Sequence, residues 1–187
     1  MKWENEETNK RFRKIIILLI IMGFFALLGI ILEFVLFFVN KQYTAFLINS
    51  LGLLSLSALS ITFCLFFLYG CFVIGWFNPQ QLKQSVRMGW GFGGMIPAAL
   101  IIFILIISTK STLATINDMN DYNAGNWQKS DVVIEEIYWG TYVTYKNGLI
   151  TTNLGEFILP VKSIKLRVGE SYQITYLKHT NTIIEVK

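Results

Sequence analysis

The sequence predicts a membrane protein with three transmembrane α-helices followed by a small all-β barrel domain. Of its 187 residues, 53% are hydrophobic and the mean hydropathy is +0.51, too apolar for an ordinary soluble domain. The apolar excess is confined to residues up to Ile107, and beyond Ser108 charges, Asn, Thr and Tyr mix as in a water-facing module. The longest apolar run, Phe46 to Phe77, contains no charged residue. As one helix it would rise roughly 48 Å, more than the ~30 Å of bilayer hydrocarbon.

Residues 1–14 form a polar tail, and the run at about 15–38 that follows is too long and too bulky at its end for a secretory leader, so it is expected to be an uncleaved first span. The second span is expected at 46–77 and the third at 90–107. Lys2, Lys10, Arg11, Arg13 and Lys14 precede the first span, and Lys83 and Arg87 follow the second, whereas the intervening loop offers only Lys41. The positive-inside rule therefore places the N-terminus in the cytoplasm and everything after Ser108 outside.

The formal charge of +4 raises the question of nucleic acid. From Ser108 onward, however, eight Lys and Arg balance eight Asp and Glu, so the surplus belongs to the spans and reports topology. No nucleic-acid partner is expected; the lipid bilayer is, together with another membrane or cell-envelope protein.

Residues 108–130 read as a stalk. Leu113, Ile116, Met119 and Tyr122 recur every three residues, as in a helix that continues until Gly125 ends it. Residues 131–187 read as an extracytoplasmic β domain of five or six strands: VVIEEIYW, TYVTYKNGLITT, GEFILP, VKSIKLRV, ESYQITYL and TIIEVK. The pair Asn147-Gly148 between β-rich arms signals a type I′ hairpin. The alternation of Ile164, Leu166 and Val168 with Lys165 and Arg167 signals a strand with one dry face.

Constellations that carry chemistry are few. Gly89, Gly91 and Gly94 match GxGxxG, but no strand precedes them, so Gly89, Gly93, Gly94 and Ala98 are read as small residues that let a neighbouring helix pack closely. Pro97 is expected to kink that helix. Ser50, Ser57, Cys64 and Cys71 recur every seven residues and form a second packing stripe. The two thiols lie about 10 Å apart along a helix, too far to bridge, and with no His or carboxylate nearby they make no zinc site. Glu33, beside Ala26 and Gly29 on one helix face, is the ionisable residue within a span; it is read as structural, with a proton or cation contact as the functional alternative. His179, in the turn LKHTNT, is read as a solvated histidine without an orienting partner. The aromatics Tyr138, Trp139, Tyr142, Tyr145, Phe157, Tyr172 and Tyr176 are assigned to core packing or headgroup contact ahead of a binding platform.

The words GESYQITYLKHTNTIIEVK, with NDMNDYNAGNW upstream, resemble the ending of a small β-barrel module of uncharacterised Gram-positive membrane proteins. A looser similarity is to NfeD-type proteins, whose membrane helices carry an OB-like barrel. The resemblance covers about the last seventy residues and implies a cell-membrane location, with no catalytic residue and no cofactor or metal to carry over. The functional expectation is a non-enzymatic protein that displays an extracytoplasmic binding module, as an accessory or immunity factor. The alternative is a small transporter subunit or sensor that uses Glu33 and the kinked third helix.

Overall fold

Helix α1, Lys2–Leu36, runs through both the polar tail and the first apolar run, because no proline or glycine pair interrupts it. The computed structural model describes residues 2–77, 82–139, 148–160 and 164–187, with side chains from Lys10 onward. Helix α2, Gln42–Phe72, ends in a π-helical turn, Val73–Phe77; α3 is Gln84–Gly93 and α4 is Met95–Ala124. Among the described residues, three helical stretches, Lys10–Leu36, Gln42–Phe77 and Gln84–Ala124, are long and apolar enough to cross a membrane.

The third stretch differs from the expected kinked helix by being broken. Gly94 stands as a turn between α3 and α4. Pro97 then falls in the first turn of α4, where its missing N–H is no loss, so the break absorbs the clash that a proline deeper in a helix would cause. At its other end α4 persists to Ala124, and Gly125 closes it at φ 75°, a left-handed conformation that favours glycine. The segment expected as a stalk, 108–130, is thus helix followed at Gln128 by the first strand.

Strands β1 (Gln128–Trp139), β2 (Gly148–Thr152), β3 (Gly155–Leu159), β4 (Ser171–Leu177) and β5 (Thr182–Val186) close a barrel in the order β1-β2-β3-β5-β4. Long β1 serves two neighbours. Gln128 to Val133 pair with β4, and Ile134 to Trp139 pair with β2. A bulge between Ile134 and Glu136 inserts one residue there and reverses the inward parity. Val132 and Ile134 point inward before it; after it Ile137 and Trp139 do so, leaving Glu136 and Tyr138 exposed. Asn153 seals the bulge, accepting the Val133 N–H on Oδ1 at 2.9 Å and donating its own N–H to the Val133 carbonyl at 3.3 Å.

The core comprises Val132, Ile134, Ile150, Phe157, Leu159, Ile174 and Ile183. The expected strand VKSIKLRV is corrected by its segment 164–168, which is irregular; its first three residues lie outside the described residues. Ile164 and Leu166 do pack on the core, but Val168 is 60% exposed and no ladder forms. The reason is topological, since the free edge of β3 is taken by β5, whose preceding Asn181 carbonyl accepts the Ile158 N–H at 2.9 Å. The proposed turn residue Asn147 lies outside the described residues, as do Tyr142 and Tyr145; Gly148 opens β2, opposite Trp139.

By its contacts the chain divides into two compact units, Met1–Gly29 with Leu54–Thr109, and Ile30–Leu53 with Lys110–Lys187.

Candidate functional site

The most developed polar constellation is built within the second unit, where α4 meets the turn between β4 and β5. Asp118 and Asp121 stand three residues apart on α4 and so share a face. Asp118 is fully buried. Its Oδ1 accepts the His179 backbone N–H at 2.9 Å, and its Oδ2 accepts the Thr180 N–H at 2.9 Å and the Thr180 hydroxyl at 2.6 Å. Because the Thr180 hydroxyl hydrogen is committed to Asp118, its oxygen serves as acceptor for Thr182 Oγ1 at 2.7 Å. A carboxylate from a distant helix thereby caps a tight turn whose last residue, Asn181, sits at φ 51°.

His179 is not the isolated turn residue the sequence implied. Its Nε2 lies 3.5 Å from Asp121 Oδ2, with the two side chains 37% and 32% exposed. Ligand atoms of Asp118, Asp121 and His179 lie within 4.8 Å of one another. Three donors already occupy both Asp118 oxygens, so the arrangement is satisfied as a turn cap with the Asp121–His179 contact at its rim.

A second feature of the same unit is a cleft of about 620 Å³, lined among others by Lys41, Tyr43, Tyr122, Trp127, Thr175 and Glu185. Tyr43 and Tyr122 stack with centroids 3.5 Å apart at 8°, and Trp127 tilts against Tyr122 at 5.5 Å. Among the described residues, the aromatics singled out in the strands do not line it. Phe157 is buried and meets Tyr176 edge-on at 4.9 Å; Trp139 and Tyr172 pack on the core, and Tyr138 points outward. Tyr172 donates its hydroxyl to Glu170 at 2.6 Å. That bond, aided by the Arg167 charge, holds the Glu170 carboxyl below its ordinary range. The same bond raises the Tyr172 phenol, against the opposing Arg167 charge.

In the first unit the small-residue stripes separate into close contacts and open positions. Cys64 and Cys71 are buried free thiols, and Ser57 is half-buried, as is Ser50 in the second unit. A β-carbon on Gly94 would lie 3.4 Å from the Cys71 β-carbon, whereas one on Gly89 or Gly93 would meet nothing within 4 Å. Ala98, half-buried, lines the same cleft as Cys71 and Gly94. Gly89 and Gly91 lie inside α3, a helix and not a phosphate turn. Sequence reasoning missed Ser55, whose hydroxyl donates across to the Phe25 carbonyl at 2.8 Å, and the bond of Arg87 to the Gly75 carbonyl of the π turn at 3.1 Å. Glu33 is half-buried, and its Oε2 has no hydrogen-bond partner among the described residues.

No family model, curated protein or solved structure matches the chain.

Proposed function

We propose that this is an integral membrane protein whose helices display the β-barrel, outside the cell, as a non-enzymatic binding module. Support for the membrane comes from the apolar faces of the three long helices: Ile20 is 65% exposed, Phe24 60%, Leu27 62% and Ile102 61%, a surface that water would not tolerate. Support for a displayed module comes from the closed barrel of β1 to β5, the architecture an OB-like domain would have. The observation that carries the binding role is the 620 Å³ cleft with its stacked Tyr43 and Tyr122 and the tilted Trp127, since aromatic walls with a few polar groups are the usual makings of a recognition site. The occupant favoured is a segment of another membrane or envelope protein, as for an accessory or immunity factor.

The test is a photoreactive side chain placed at Trp127 and, separately, at Leu154, which is 57% exposed and does not line the cleft. In intact cells position 127 is expected to give a discrete cross-linked species that position 154 does not; no adduct, or the same adducts at both, would refute the reading. With Cys64 and Cys71 replaced by Ser, a Lys187→Cys protein is expected to react with an impermeant maleimide from outside and a Lys2→Cys protein is not. A second reading, a small transporter subunit or sensor, is favoured by the unpartnered Glu33 oxygen.

A further inference from the structure

Where α1 leaves its polar turns and becomes apolar at Ile15, Lys14 lies four residues after Lys10 and three after Arg11, close enough to share a face with each. Opposite them stand Tyr69 and Phe72 of α2 and Phe77 of the π turn, and together the six residues line a groove of about 210 Å³. The Arg11 guanidinium carbon lies 4.2 Å above the centre of the Phe77 ring, and Lys14 Nζ lies 5.9 Å above that of Tyr69. A cation held over an aromatic ring keeps its full charge, so the contact fixes where that charge stands without neutralising it. Tyr69 adds a phenolic donor at the same groove.

We propose that this groove binds the phosphate of an anionic phospholipid headgroup. The inference rests on the membrane reading above. Three cations converge on a space that, against about 30 Å³ for a water molecule, admits a phosphate with its ester carbons. The chemistry selects phosphate, because guanidinium and ammonium groups gathered around one space suit an oxyanion with several acceptor oxygens. A lipid is favoured over the free ion by position and by the apolar wall. Lys14 adjoins the apolar run, Trp76 and Phe77 lie at the end of α2 as aromatics do at a headgroup level, and Phe72, 52% exposed, offers a ring to the glycerol and first acyl carbons.

Arg13 provides the control, being adjacent in sequence, exposed and not a lining residue. The full-length protein, wild type and with Lys14→Gln, Arg13→Gln or Tyr69→Phe, is purified in neutral detergent, and its retention of phosphatidylglycerol against phosphatidylcholine is measured by native mass spectrometry. Wild type is expected to prefer the anionic lipid. Lys14→Gln should weaken that preference about five-fold, the factor one lysine contributes near an anionic surface. Tyr69→Phe, which keeps the ring and so guards against a folding defect, should weaken it roughly ten-fold through loss of a charge-assisted hydrogen bond. Arg13→Gln should leave it unchanged. Equal loss in the Arg13 and Lys14 variants, or no preference in wild type, would overturn the site. Displacement of retained lipid by excess inorganic phosphate would identify a soluble phosphate as the occupant and overturn the lipid assignment. Resistance of each variant to alkaline carbonate extraction reads the membrane placement separately, so failure of that reading is distinguishable from failure of the site.

Discussion

Removing the Asp118 carboxyl tests whether a helix residue holds the β4–β5 turn in place. In Asp118→Ala three donors lose their acceptor: the N–H groups of His179 and Thr180 at 2.9 Å and the Thr180 hydroxyl at 2.6 Å, all directed at a fully buried side chain. Hydrogen bonds to a charged acceptor contribute about 1.5–3 kcal/mol each, but the hydroxyl can turn elsewhere and the terms are not additive, so the expected loss is about 3 kcal/mol. For a domain of this size 1 kcal/mol moves the midpoint by about 4–8 °C, which gives a fall of about 10–25 °C. Asp118→Asn should lose nearly as much, because its amide nitrogen would face a donor. His179→Ala should cost at most about 0.5 kcal/mol, since the 3.5 Å pair with Asp121 is partly exposed. The assay is hydrogen exchange of the full-length protein in detergent, followed through peptides that contain residues 178–182, beside a thermal melt. If Asp118→Ala left both the melt and the protection of the His179 and Thr180 amides unchanged, the capping argument would be wrong.

Gly148→Ala should destabilise the barrel by about 1–3 kcal/mol, because the new methyl would lie 2.7 Å from Cζ3 of Trp139; an unchanged denaturant midpoint would show that the ring moves aside freely. Glu33→Gln is expected to leave expression, thermal stability and any transport or signalling activity intact, and selective loss of activity would favour the transporter reading. Because its folded-state pKa is depressed, Glu170 contributes stability that is present above its ordinary value of 4.5 and lost as pH falls through the lowered one. Tyr172, raised, contributes stability present below 10.0 and lost as pH rises through its folded-state value. Tyr172→Phe should therefore flatten both arms of the melting-temperature profile, and a profile parallel to wild type would discount the pair.

What local pattern determines was legible. Three charge-poor apolar runs specify helices without reference to anything distant, since hydrophobicity along 18 or more residues is a property of the run itself. Gly125 ends α4 because a left-handed residue there is a local requirement, and TIIEVK forms a strand from its own β-branched content.

Tertiary structure decided which of several locally equivalent residues matter. Asp118 and Asp121 look alike on a polar helix, yet one is buried beneath a turn about sixty positions away and the other is partly exposed. Gly89, Gly93 and Gly94 are interchangeable as a spacing, and the approach of Cys71 and Leu68 selects Gly94. The bulge at Ile134 turns Ile137 and Trp139 inward, and the segment 164–168, for all its alternation, finds no edge to pair with, because strand pairing is a competition settled by the whole barrel. Periodicity records what a segment can do alone; a buried acceptor, a close glycine and a vacant sheet edge exist only when a second segment arrives.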